Sequence, residues 1–255
     1  MRNPIIPGRI AERWANHTRL DRVQWHPLVY ENRTYTGSLS KIDSWTTDTD
    51  GITQIITVSG GSPSTNKPGD SGNLIGWDLS SIQNPMMDLH APQMCLFHMK
   101  LVANPGNGSR CVVMMGATNN MSALPTHNWS GCGLHFHKSS PGPDLRVGHV
   151  YNAAGADAGP KAITEVYGSM FFGPDTPGAT GSSVEAFGIN SSGSYETLKR
   201  QVRSDLQYGD GSPDLWRFFI HAGKATTTSG AKTIKVQCRV AVSSIVTPPT
   251  WFPGS

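Results

Sequence analysis

Two histidines, His135 and His137, stand two residues apart in a run, 133–138, whose composition predicts a strand. A strand puts residues i and i+2 on one face, so the two imidazoles would project together and meet one geometric need of a His-x-His metal site. Such sites take an acidic ligand a few residues later. Here the chain continues Lys138, Ser139, Ser140, Pro141, Gly142, Pro143, and the first acid is Asp144, so solvent-facing or interface histidines are expected instead. Asp48, Asp50 and Gly51 carry the opening of a calcium loop, but Ile52 and Ile55 already begin an apolar run. The carboxylate ring is not completed, and a capped turn leading into a strand is expected.

Glu165, Glu185 and Glu196 fall on separate elements, while Asp205, Asp210 and Asp214 cluster near Gly209 and Gly211. A glycosidase holds two carboxyl groups across one sugar bond, a geometry that distant acids reach only through the fold. Alternating acids of the Glu-x-Asp-x-Glu kind are absent, as are the Gly-x-Ser-x-Gly elbow, the phosphate-binding loop and the strand-linked dinucleotide-binding glycines. The expectation is a protein that is not an enzyme, with no catalytic residue, cofactor or metal. Trp and Tyr side chains could line a sugar groove, although aromatics on strands more often pack in cores.

The elements that would position these residues are short strands. Ile234, Val236, Cys238, Val240 and Val242 alternate with Lys235, Gln237, Arg239 and Ala241; Trp216, Phe218 and Ile220 with Arg217, Phe219 and His221; and Ile52, Gln54, Ile56 and Val58 with Thr53, Ile55 and Thr57. Seven more strands are predicted at 74–79, 94–103, 111–115, 133–138, 146–151, 163–172 and 184–189. Long polar loops at 59–72, 139–144, 152–161 and 173–183 separate them, and loops of this kind commonly carry recognition. One helix is expected where Leu198, Val202 and Leu206 fall at i, i+4 and i+8 behind Ser194. The near-absence of other helical periodicity excludes βαβ units, so the predicted fold is all-β: an antiparallel two-sheet β-sandwich, jelly-roll-like, with at most one or two short helices. The 255 residues fit a single sandwich domain. Cys95, Cys111, Cys132 and Cys238 each sit in an apolar alternation, which predicts buried thiols rather than disulfides or a zinc site.

Residues 1–30 differ. Pro4 and Pro7 favour extended backbone, and a short helical pattern around Ile10, Ala11, Trp14 and Ala15 is too brief to hold its shape in water alone. They read as an N-terminal arm, ordered only by packing on something else, with the sandwich occupying 31–255. Arg2, Arg9, Arg13, Arg19 and Arg22 against Glu12 and Asp21 account for the whole formal charge of +3. Together with Trp14, these arginines are the candidate assembly residues. An arm this weakly basic lacks the blocks of like charge found in packaging tails, so weak nucleic-acid contact is the most it would give. No apolar run is long enough for a secretory signal or a bilayer span, and synthesis and folding in the cytosol are expected, without membrane contact.

An arm at residues 1–30, a sandwich pattern with long polar loops, and strands at 215–222 and 234–246 running into Pro248 and Pro249 resemble virus-particle structural proteins of the coat or phage capsid-decoration type. The resemblance implies self-assembly, homo-oligomeric contacts and contacts with other virion proteins, in a particle assembled in the host cytoplasm. The 111–115 strand, apolar on both faces, would be buried between layers or at an interface. Two rival readings stand beside this: a receptor- or carbohydrate-binding adhesin module of a phage tail, and a polysaccharide-active β-sandwich enzyme using acids among Glu165, Glu185, Asp205, Asp210 and Asp214.

Overall fold

The computed structural model describes residues 3–30, 34–36, 42–58, 61–62, 74–78, 93–103, 111–118, 130–137, 145–151, 156–157, 163–172, 182–190, 195–203, 217–225, 230–244 and 247. In chain order these form helix α1 (Gly8–Ala15), a 3-10 turn (Leu20–Arg22), and strands β1 (His26–Pro27), β2 (Thr34–Thr36), β3 (Ile42–Thr47), β4 (Thr53–Val58), β5 (Gly61–Ser62), β6 (Leu74–Asp78), β7 (Gln93–Ala103), β8 (Cys111–Thr118), β9 (Ser130–His137), β10 (Leu145–Tyr151), β11 (Ala156–Asp157), β12 (Ile163–Phe172), β13 (Ser182–Asn190), β14 (Tyr195–Arg203), β15 (Arg217–Ala225) and β16 (Lys232–Ser244).

They pair into two sheets. The first runs β14-β13-β12-β7-β16-β4-β3, with β1 on β16; the second runs β11-β10-β9-β8-β15-β6-β2, with β5 on β15. All pairings are antiparallel except the short β5–β15 contact. Alternation then decides the layers. Cys95, Phe97, Met99, Val166, Ile56, Val58, Ile234, Val236, Cys238, Val240 and Val242 of the first sheet, and Met115, Phe218, Ile220 and Ala222 of the second, are all buried. Phe97 meets Phe218 edge-on across the interface, ring centroids 5.5 Å apart. The fold is thus the predicted β-sandwich, and all ten predicted strands are present. Cys95 and Cys238 are buried thiols, and burial pushes the Cys95 pKa up. Cys111 and Cys132 lie on β8 and β9.

Two expectations are corrected. The stretch of the expected helix that holds Leu198 and Val202 is an edge strand, β14, paired along β13 with a bulge opposite Ala186 and Phe187, while Leu206 lies outside the described residues. Spacings of four and eight are even, so they satisfy a period of two as well as 3.6, and tertiary pairing made the choice. The second correction concerns β16, expected to be half-buried. Part of its off-face is covered as well: Ala241 is fully buried, Arg239 is 8% exposed and Ser243 6%, while Lys235 and Gln237 stay partly exposed.

The cover is the N-terminal segment. Ile10 and Trp14 of α1, with Val23 and Trp25, pack on Met94, Leu96, Tyr167, Phe187 and Ala241 to make a second core on the outer face of the first sheet. Trp14 lies between Trp25 and Tyr167, ring centroids 6.4 and 6.3 Å away. The surface that orders this helix is therefore its own chain's sheet. Polar contacts fasten it: Arg13 grips Glu185 with Nη2 2.6 Å from Oε1 and Nε 2.6 Å from Oε2, and Thr18 is hydrogen-bonded through its hydroxyl to Ser243. Beyond it, the Tyr30 N–H and the Trp45 indole N–H both donate to the buried Gln54 Oε1, at 2.8 and 3.1 Å.

The turn between β3 and β4 fulfils the capped-turn expectation. Asp50 accepts from the N–H groups of Ile52 (2.9 Å) and Thr53 (2.7 Å), from the Thr53 hydroxyl and from Gln237 Nε2 (3.2 Å). Gly51, at φ 72°, supplies the left-handed residue the turn requires. Burial raises the Asp50 pKa, but these four donors outweigh it and the net shift is downward. A depressed carboxyl pKa stabilises the fold above the unfolded value, near 3.8, and that contribution is lost as the pH falls through the folded value. Asp50→Asn is therefore expected to flatten the decline in stability below about pH 4, measured by urea unfolding across an acid series.

Candidate functional site

Antiparallel register lines polar side chains into two adjacent rows on the outer face of the first sheet. One row is Thr53, Gln237, Lys100, Glu165, set by the pairs Gln237–Thr53, Gln237–Lys100 and Glu165–Lys100. The next is Pro27, Arg239, His98, Tyr167, Phe187. The third row, Ala241, Leu96, Ser169, Glu185, includes Leu96 and Ala241, which lie in the core under α1. The N-terminal segment thus covers one end of the face and leaves the polar rows open at the other. A cleft of about 550 Å³ results, floored by Gln237, Lys100 and Glu165 of the first row, Arg239 and His98 of the second, and Asp50 and Ile52 of the β3–β4 turn, with Asn3, Pro4 and Ile5 as its wall.

The floor is one hydrogen-bonded chain. Gln237 Nε2 donates to Thr53 Oγ1 (2.9 Å) as well as to Asp50, and Gln237 Oε1 accepts from Arg239 Nη2 at 3.3 Å. Arg239 Nη1 lies 2.9 Å from His98 Nδ1. A guanidinium can only donate, so Nδ1 is the acceptor and the ring hydrogen sits on Nε2. That Nε2–H donates to Glu165 Oε1 at 2.7 Å. The Tyr167 hydroxyl lies 2.9 Å from the same carboxylate oxygen and 2.8 Å from the Ile5 carbonyl, so its single hydrogen is shared between floor and wall.

Charge follows from burial. His98 is 1% exposed; desolvation lowers its pKa, against the pull of Glu165 and with the push of Arg239 and Lys100. For Glu165, burial raises the pKa, yet the His98 and Tyr167 hydrogen bonds and the neighbouring cations leave it depressed. Burial, then Glu165, raises the Tyr167 pKa. Arg239 is lowered by burial but stays charged. The imidazole is therefore neutral, and protonating it would set a second donor against Arg239. The unfolded chain takes up this proton near pH 6.5, the folded chain only at lower pH. Across that window the unfolded state holds more protons, so stability falls with acid. We expect stability to drop between about pH 7 and 5.5, and His98→Gln, whose amide can accept from Arg239 and donate to Glu165, to shrink that step in urea unfolding, the remainder coming from His17 and His26, whose pKa values burial also lowers.

The sequence candidates land in different places. Glu165 is in the cleft; Glu185 is spent on Arg13 beneath α1; Glu196 is on the edge strand β14. Asp205, Asp210 and Asp214 lie outside the described residues, as does most of the long polar loops. His135 and His137 lie on β9 in the other sheet, His135 opposite Met114 and Arg146 and His137 opposite Val112. Of the arm residues, Trp14 is core, Arg13 is ion-paired, Arg19 makes an exposed pair with Asp21 at 2.9 Å, Arg9 and Arg22 are exposed, and Arg2 lies outside the described residues. Lys100, Gln237, Arg239 and His98 were missed as site residues. Their signal was the polar off-face of two apolar strands, His98 and Lys100 on β7 and Lys235, Gln237 and Arg239 on β16, which strand pairing alone brings together.

No family model matches this chain, and no curated protein matches it. Among solved structures it is similar to a protein of unknown function from Shewanella oneidensis (TM-score 0.45, 9% identity, covering 98% of this chain and 99% of that one). It is also similar to peanut lectin (TM-score 0.46, 12% identity, 89% and 98%) and to the CBM2 module of the Dit protein of Lactobacillus casei phage J-1 (TM-score 0.43, 8% identity, 89% and 92%). At these identities and TM-scores, none of them assigns a ligand or an activity to this chain.

Proposed function

We propose that this chain is a non-enzymatic recognition module that holds a saccharide in the cleft beside its N-terminal segment, and that it works as a subunit of a virus particle. The observation that carries the reading is the cleft floor. Hydroxyl-rich ligands need several donors and acceptors at fixed positions, and here carboxylate, amide, imidazole and guanidinium groups are hydrogen-bonded to one another, which lowers the side-chain freedom left to lose on binding. Pro4, Ile5 and Ile52 supply apolar contact for a sugar ring.

Binding fits this floor better than turnover. Both His98 ring nitrogens are engaged, the Asp50 carboxylate is occupied by four donors, and Tyr167 is buried at 1% exposure. Among the described residues, hydrolysis by paired carboxyl groups would leave Glu165 with only Asp50 as a second acid in the cleft, and that carboxylate is already taken up by its four donors. The particle setting rests on the arm-and-sandwich resemblance. In it, subunit contacts with copies of this chain or with other virion proteins would come from the sandwich edges and loops, while the N-terminal helix stays on its own sheet.

A glycan array followed by calorimetry tests the binding claim. Binding of a defined glycan, lost in Gln237→Ala, is expected; an array without hits overturns it, and release of cleaved sugar on long incubation overturns the non-enzymatic part. Electron microscopy of the purified protein tests the setting: ordered oligomers or particles are expected, and a persistent monomer that joins no virion component counts against it.

A further inference from the structure

Among the described residues, Arg239 is a buried cation in no ion pair. Its side chain is 8% exposed, and its two hydrogen-bond partners among the described residues are the neutral His98 Nδ1 and Gln237 Oε1. Glu165 and Asp50 act on it only through space, since their contacts are with His98, Tyr167, Thr53, Gln237 and the turn backbone. Buried charges in proteins are ordinarily paired, because removing an ion from water costs several kcal/mol. A guanidinium has five N–H donors, of which these contacts use two, and it lines the open cleft. Lys100 stands in the adjacent row, its ammonium 3.9 Å from Glu165 Oε2 and about half exposed at the rim.

Among the described residues, Arg239 therefore keeps unused N–H donors facing the cleft and Lys100 meets Glu165 only at 3.9 Å, while Asp50 and Glu165 Oε1 already accept hydrogen bonds. We infer that the saccharide it takes is acidic, with the ligand carboxylate seated on Arg239 in the floor and drawn in by Lys100 at the rim. This rests on the reading of the cleft as a saccharide site and names the class of sugar. A carboxylate matches the planar guanidinium with two parallel N–H···O bonds, which a sugar hydroxyl does not.

The test is calorimetric titration of the full chain with three matched oligosaccharides: a uronic-acid oligomer, the same oligomer with its carboxyl groups reduced to neutral hydroxymethyl, and a sulfated neutral oligomer. The uronate is expected to bind at least about tenfold tighter than its reduced counterpart, with a preference that shrinks as salt is raised. Lys100→Gln, at the half-exposed rim, is expected to weaken the uronate about threefold to tenfold and the reduced oligomer by clearly less, so that the uronate preference narrows. Arg239→Gln should remove the preference, with unfolding measured in parallel. Equal binding of acidic and reduced oligomers overturns this inference and leaves the saccharide reading standing. Tighter binding of the sulfated oligomer overturns the assignment to a carboxylate. Binding of none of the three overturns both this inference and the saccharide reading it rests on.

Discussion

Trp14→Ala is expected to lower the free energy of unfolding by about 3–5 kcal/mol, the range for truncating a large aromatic in a packed core. Trp14 is fully buried in the outer core between Trp25 and Tyr167, and an eight-residue helix cannot persist without that anchor. Losing it would free the segment leading to Asn3, Pro4 and Ile5, so the variant should also lose the wall of the cleft. Trp14→Phe separates ring packing from the indole polar group. The indole N–H is buried with no hydrogen-bond partner among the described residues, so its removal relieves a desolvation cost and offsets part of the lost contact area. Guanidinium unfolding should rank wild type and Trp14→Phe close together and Trp14→Ala far below. A Trp14→Ala protein as stable as wild type would mean that the helix does not pack on this sheet.

Arg13→Ala is the second large effect. Glu185, its side chain 3% exposed, depends on Arg13 for its counter-charge, while Arg13 itself is about one-third exposed and lies over the Phe187 ring. Removing the cation strands a buried carboxylate. The expected loss is about 2–4 kcal/mol, set below the range for a fully enclosed pair because water reaches the guanidinium. Replacing both partners, Arg13→Met with Glu185→Leu, should recover most of it, since an apolar pair leaves no orphaned charge under the helix. A double variant no better than the single one would show that the pair does more than neutralise itself. The packing of Ile10, Trp14, Val23 and Trp25 on the first sheet also sets the expectation for residues 1–30: deletion of the segment is expected to uncover Met94, Leu96, Tyr167 and Phe187 and to destabilise the body.

The sandwich was legible because its signal is local. The inward residues of β16 and β7 repeat every second position, and nothing else in a chain poor in helical periodicity competes with that rhythm. The same logic misread β14, where Leu198 and Val202 are spaced evenly enough for either period. It also misjudged β16, whose polar face reads as solvent-exposed until the N-terminal helix, far away in sequence, is laid across part of it. The cleft was the least legible part. Glu165 and Asp50 stood out as acids, but their partners His98, Lys100, Gln237 and Arg239 come from two strands separated by more than a hundred residues, and only the registers Gln237–Lys100 and Arg239–His98 place them side by side. A lone histidine or arginine on a strand carries no sign of that juxtaposition.

The cleft between the Asn3–Ile5 segment and the β7–β16 floor is where a ligand is expected to sit. Amide and side-chain NMR of the labelled chain, titrated with the acidic oligosaccharide, measures this directly. Saturating shifts concentrated at Ile5, Asp50, His98, Lys100, Gln237 and Arg239 are the predicted result; shifts confined to the second sheet, or none at millimolar ligand, would contradict it.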